Sequence, residues 1–204
     1  MATPAFATTI GFDLTGAGGL LGSSFDFTED GLTLTVAAFT INTNTSPVGS
    51  TPAGLVQTGF GLGVDSGPGI FIDNPISIDE LIFNFTEALV ISFDVDVTLD
   101  SIDLFTIDPG DNALIRVLGG GPTFITALGS GVNTITGPIT LPAGSQVAIG
   151  APIGGAAILD NAFTLSGLTA TTSDDPDPPP TVPSPAAAGA GLVLLAGLTL
   201  RRQR

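Results

Sequence analysis

The chain reads as an all-β protein, an antiparallel two-sheet sandwich of jelly-roll-like type, with a hydrophobic helix appended at its C-terminus. Three features of the 204-residue sequence predict this. Between Thr8 and Thr172 apolar residues recur at every second position, the spacing that turns one face of a strand to a core and the other to water. Gly-Pro and Pro-Gly pairs, at Gly67-Pro68, Pro109-Gly110, Gly121-Pro122 and Gly137-Pro138, cut the runs into short pieces, as turns do. No part of the body shows the spacing of an amphipathic helix.

Taken in order, the first runs are Ser24 to Phe27 and Leu32 to Phe39. Leu81, Phe83 and Phe85 then alternate with Ile82, Asn84 and Thr86. They are expected to pair with the next run through a turn at Thr86-Glu87-Ala88. That next run, Leu89 to Leu99, has the strongest alternation: Leu89, Ile91, Phe93, Val95, Val97 and Leu99 on one face, Val90, Ser92, Asp94, Asp96 and Thr98 on the other. Ile102 to Ile107, Ala113 to Leu118, Thr123 to Leu128, Ile135 to Leu141, Gln146 to Ala151 and Ala157 to Leu168 complete about nine or ten strands, a number that suits two packed sheets. One domain of ordinary size, residues 8–172, accounts for all of them. No repeat of solenoid length is present.

Charge is distributed unevenly. All 19 acidic residues lie between Asp13 and Asp177, whereas Arg201, Arg202 and Arg204 close the chain and leave Arg116 as the body's only basic residue. Such a body repels phosphate backbones and cannot release the counterions that drive nucleic-acid binding, so DNA and RNA are excluded as partners. It attracts divalent cations instead. The sequence has no Cys, His, Trp, Tyr or Lys. The usual general base, thiol nucleophile and zinc ligands are therefore missing, and any catalysis would rest on carboxylates or hydroxyls.

Residues 173–181 form a Pro- and Asp-rich linker, held extended by its prolines. Val182-Pro183-Ser184-Pro185 follows, then the uncharged stretch Ala186 to Leu200 and the Arg cluster. As a helix, residues 186–200 span roughly 22 Å against a hydrocarbon core of about 30 Å, which is short for a permanent anchor. Arginines behind an apolar segment stay on the cytoplasmic side, so the acidic body is expected across the membrane. This order of a Pro-containing tetrapeptide, a small-residue-rich apolar helix and a terminal Arg cluster closely resembles the PEP-CTERM sorting signal. The resemblance covers Val182 to Arg204, with Ser184 standing where glutamate is commonest. It implies recognition and cleavage by an exosortase-type membrane protease after transient anchoring in the inner membrane. The alternative is an ordinary C-terminal anchor. The stretch from Gly59 to Phe105 also resembles, more loosely, the β-sandwich bodies often found ahead of such tails.

At the other end, Ala5-Phe6-Ala7 has the small-x-small form of a signal-peptidase site, and Met1 to Pro4 is too short to supply the rest of a signal peptide. Residues 1–7 are read as the remnant of one, with the mature chain starting near Thr8.

Within the body, Gly59, Gly61 and Gly63 form a GxGxG string, but no helix or Lys follows to hold an anion, so a turn or bulged strand is expected. Asp94 and Asp96, about 6.6 Å apart on one strand face, satisfy the spacing of a glycosidase pair. No Trp or Tyr platform accompanies them. Calcium, which takes several oxygen ligands, suits two clusters better: Asp73-Asn74 with Asp79-Glu80, and Asp160-Asn161. Turn capping by the same residue types is the competing reading. Asp94, Asp96, Asp100 and Asp103 are expected to form an acidic stripe, either simply solvated or a weak cation-dependent adhesion surface.

The expected function is therefore that of an exported cell-surface or matrix protein with a structural or adhesive role, associated with exopolysaccharide, not an enzyme and needing no cofactor. The alternative is a carbohydrate-binding module, calcium-stabilised.

Overall fold

The computed structural model describes residues 7–42, 51–66, 78–81, 85–107, 109–121, 123–151 and 162–172. The expected linker (173–181), the expected sorting signal (182–204), residues 1–6, and the Ala157 to Asn161 part of the last expected strand lie outside them. Every strand pairing is antiparallel, and the strands form two sheets.

In the first sheet, β1 (Thr8–Asp13), β15 (Ala162–Thr172), β10 (Val97–Thr106) and β13 (Gly131–Leu141) lie side by side in that order. β7 (Gly61–Asp65) joins β15 at Leu62 opposite Leu165, and carries β6 (Gly54–Thr58) and then β2 (Gly19–Gly22). In the second sheet the order is β12 (Thr123–Ala127), β11 (Asn112–Val117), β14 (Gln146–Gly150), β9 (Phe85–Phe93), β4 (Leu32–Asn42) and β3 (Ser24–Glu29). The short β5 (Thr51–Pro52) also pairs with β4. β8 (Ile78–Leu81) belongs to both sheets, its first half on β15 and its second on β9.

The core lies between the sheets because each strand sends alternate residues inward. Leu32, Leu34, Val36 and Ala38 of β4 and Leu89, Ile91 and Phe93 of β9 meet Val97, Leu99, Ile102 and Leu104 of β10 and Phe163, Leu165, Leu168 and Ala170 of β15, all buried. Leu34, Leu89, Ile91 and Leu165 are wholly excluded from water. Burial of such side chains is worth roughly 1.5–3 kcal/mol each before the entropy of ordering them is subtracted.

Most of the expected runs coincide with strands, but three features differ. The run from Leu89 to Leu99 is two strands: β9 ends at Phe93, β10 starts at Val97, and the chain turns from one sheet to the other between them. Alternation hides the corner because Phe93 and Val97 both face the same core, each from its own sheet. Val95, at the apolar phase between them, is 44% exposed. Secondly, Thr86, Glu87 and Ala88 are not a turn but lie within β9. Thirdly, β10 runs on from Val97 through Thr106 as one strand, with an irregularity at Asp100 that moves the inward phase from Leu99 to Ile102. β1, β2, β5 to β7 and all of β8 but Leu81 were not among the expected runs.

The GxGxG string forms the turn into β7 and β7 itself. Gly61 has φ +131°, and a Cβ there would collide with the Leu165 carbonyl oxygen and come within 2.8 Å of Ser166 Cα. Here β7 presses directly on the backbone of β15, so only glycine fits. Gly59 has open space where its Cβ would be. Gly61→Ala is expected to lower unfolding stability by about 3 kcal/mol, and Gly59→Ala by under about 1 kcal/mol. Urea denaturation of the two variants checks the difference.

Candidate functional site

The outer face of the first sheet carries an ordered set of hydroxyls and carboxylates. Directly paired residues point to the same side of a sheet. The register therefore aligns Thr140, Thr98, Thr171 and Thr9 in one row across four strands. A second row contains Thr136, Ser101, Thr169 and Gly11, and a third Thr134, Asp103, Gly167 and Asp13. The hydroxyls are wired to the acids. Thr171 Oγ1 donates to Asp100 Oδ2 at 2.6 Å. Since a hydroxyl has one proton, the 2.8 Å contact of Thr171 with Thr9 must have Thr9 as donor. Thr134 Oγ1 donates to Asp103 Oδ1 at 2.7 Å. On the second sheet Thr35 Oγ1 does the same for Asp26 Oδ1, at 2.7 Å.

With no Lys and one Arg in the body, threonine hydroxyls and backbone amides take the place of cationic partners. Asp13 shows the consequence. The Thr15 hydroxyl and the Thr15 amide donate to its Oδ1 at 2.7 and 3.0 Å. Hydrogen bonding, first from the Thr15 side chain and then from its backbone, holds the carboxyl below its ordinary value, against a smaller opposing effect of burial.

Asp94 and Asp96 do not sit on a strand face with Asp100 and Asp103, so the expected four-residue stripe is divided. Both lie in the corner between β9 and β10. Asp94 Oδ1 accepts the Thr33 amide at 3.1 Å, at the start of β4. Asp96 Oδ1 accepts the Ala143 amide at 2.7 Å, in the turn between β13 and β14. Each carboxylate ties the corner to a different loop.

Two buried acids escaped sequence reasoning. Glu87 is wholly buried in β9 and accepts a hydrogen bond from Ser66 Oγ, which in turn receives one from Thr40 Oγ1 at 3.2 Å. Its signal was present: Glu87 falls in phase with the inward residues Leu89 and Ile91. Asp111, also buried, accepts Thr106 Oγ1 at 2.8 Å and the Ala162 amide at 3.2 Å through Oδ2. Following Pro109-Gly110, it is indistinguishable in sequence from a solvated turn residue.

Of the calcium candidates, Asp73, Asn74, Asp160 and Asn161 lie outside the described residues. The backbones of Asp79 and Glu80 are in β8, with Asp79 opposite Ala162 and Glu80 opposite Thr86. The register thus brings Asp79 and the Asp111 carboxylate to Ala162, the first residue of β15. No group of three or more acids able to hold a metal occurs among the described residues. Val182, Pro183, Ser184, Pro185, Arg201, Arg202 and Arg204, the residues expected to form a sorting motif, also lie outside them.

Elsewhere on the surface, Phe60 stacks on Phe105 at 4.9 Å between centroids, and Thr164 Oγ1 donates to the Phe60 carbonyl at 2.7 Å. A small apolar cleft opens between the two sheets beside β12 and β13, lined by Leu99, Ile102, Ile115, Phe124, Ile135 and Ile139 among others. Comparison of the chain with protein-family models, curated proteins and solved structures returned no match.

Removing the Thr15 hydroxyl, the largest influence on Asp13, is expected to raise the Asp13 pKa toward its ordinary value in Thr15→Ala, as followed by carboxyl-carbon NMR titration. In the native protein the depressed value favours the folded state above the unfolded pKa of Asp13, a contribution lost as pH falls through the folded one.

Proposed function

We propose that the protein is exported, briefly anchored by its C-terminal tail, cleaved there by an exosortase-type membrane protease, and left in the cell envelope or exopolysaccharide matrix, where its role is structural or adhesive. The observation that carries this is the order of parts from Val182 to Arg204: Val-Pro-Ser-Pro, the uncharged stretch Ala186 to Leu200, and Arg201, Arg202 and Arg204. Arginines retained on the cytoplasmic side leave the acidic body outside. A non-enzymatic role is favoured by the employment of Asp94 and Asp96, the pair with glycosidase spacing, as acceptors for backbone amides of two separate loops.

The body itself we take to be a jelly roll. In support, β1, β15, β10 and β13 on one side face β9, β14, β11 and β12 on the other, and the chain changes sheet from β9 to β10, β10 to β11, β12 to β13, β13 to β14 and β14 to β15. The two interlocked Greek keys of that fold require such non-sequential neighbours.

Intact mass and cell fraction of the native protein in its own host test the sorting reading. The expected product runs from near Thr8 to near Pro185 and is recovered from the envelope or matrix. A full-length tail still in the inner membrane would mean an ordinary anchor.

A second reading, a calcium-stabilised carbohydrate-binding module, is favoured by the hydroxyl rows of the first sheet, which offer donors and acceptors at regular strand spacing, and by the register that sets Asp79 opposite Ala162, the residue that follows Asp160-Asn161 in the sequence. On this reading millimolar Ca²⁺ raises the melting temperature by about 4 °C or more, and Asp79→Ala or Asp160→Ala removes the rise. Retention of the native protein on polysaccharide columns completes the test, since a purely structural body flows through.

A further inference from the structure

The two sheets end together on one side of the sandwich, at β12 and β13. Among the described residues β12 pairs only with β11, and β13 only with β10. Each therefore presents a row of backbone amides and carbonyls to whatever lies beside it, the arrangement that templates pairing with another strand. The two edges are not equally open. In β13, Gly137 and Pro138 stand opposite Asp100 and break the register, and proline removes a donor from the edge. β12, Thr-Phe-Ile-Thr-Ala, has no proline, glycine or charge. Its Phe124 is 44% exposed over the mouth of the apolar cleft, and its Ile125 is 65% exposed on the other face.

Charge selects the occupant. The chain carries a formal charge of −15, so copies of it repel one another over most of their surface. On the opposite side of the sandwich the edge strands β1 and β3 carry Asp13, Asp26 and Glu29. From Val117 to Leu159 the sequence has no charged residue, and Arg116, the body's only cation, is paired with Thr123 at the start of β12. The β12 edge lies within the longest charge-free stretch of this acidic body, and uncovered apolar surface and open backbone groups coincide there.

We propose that β12 is a self-association edge: a second copy of this chain adds its own β12 antiparallel to the first, extending the second sheet across a two-fold axis and covering both Phe124 rings and both cleft mouths. The pairing is isologous and closes as a dimer. Because self-repulsion opposes it, it strengthens as salt screens the bodies from each other.

Sedimentation of the full chain tests this, with detergent in sufficient excess that each apolar tail occupies its own micelle. The native protein is expected to sediment as a dimer, increasingly so between about 10 and 150 mM salt. Ile125→Lys, which sets two like charges at the new interface while leaving the core untouched, is expected to weaken the dimer tenfold or more with the melting temperature of the monomer retained. Leu20→Lys, which puts the same charge on the uncharged edge strand β2, where Leu20 is 66% exposed, leaves the dimer intact. A monomeric native protein, a dimer that Ile125→Lys does not weaken, equal weakening by both variants, or a dimer that dissociates as salt is added would each overturn the proposal.

Discussion

The first sheet depends on one strand. β15 is hydrogen-bonded along one edge to β10 and along the other to β1, β7 and β8. Removing it would leave β1 and the β7-β6-β2 group with no route into the sheet. It is also among the last parts of the chain, and Thr171 meets Thr9 across 162 positions. The sheet therefore closes only when distant segments meet, a loop-closure entropy that has to be offset by the core between the sheets. The tightest backbone approaches lie along this strand. Gly61 is pressed against Leu165, and Gly167 sits between β1 and β10 with space for no side chain beside the Phe12 carbonyl.

A second constraint is the near absence of cations. Carboxylates on a surface without lysine must find neutral donors or remain solvated, and here threonine supplies many of them. The Thr134 and Asp103 pair and the Thr35 and Asp26 pair join directly opposed residues, whereas in the Thr9, Thr171 and Asp100 chain the carboxylate comes from the unpaired residue of the β10 irregularity. β-branched threonine also favours the extended backbone, so one residue type serves both strand formation and carboxylate bonding. At the corner Asp94 and Asp96 reach loop amides instead, helping to turn the chain from one sheet into the other.

The same alternation that makes the strands legible conceals where they end. Leu89 to Leu99 keeps one inward phase through the corner at Asp94 to Asp96, because both sheets face a common core, so periodicity alone cannot place the break. The irregularity at Asp100 has the opposite effect: it shifts the phase within β10 and makes one strand resemble two. Glu87 was marked by its position among inward residues and Asp111 by nothing local, since its burial comes from Thr106 and Ala162, the latter distant in sequence. The spacing expected of Asp94 and Asp96 assumed one continuous strand face, whereas both lie in the corner between β9 and β10 and each side chain is directed by the loop that it meets.

By itself the sequence determined the all-β class, the position of most strands and the acidic character of the body, because periodicity, turn residues and charge are local properties of the chain. The expectations for its two ends are likewise written in local motifs. Tertiary structure alone decided which strands are neighbours, that β8 serves both sheets, that Gly61 admits no side chain, and that the uncharged edges β12 and β13 finish side by side around an apolar cleft. Those are consequences of pairing between distant segments, and a strand's own residues specify which face turns inward without specifying the strand that will lie beside it.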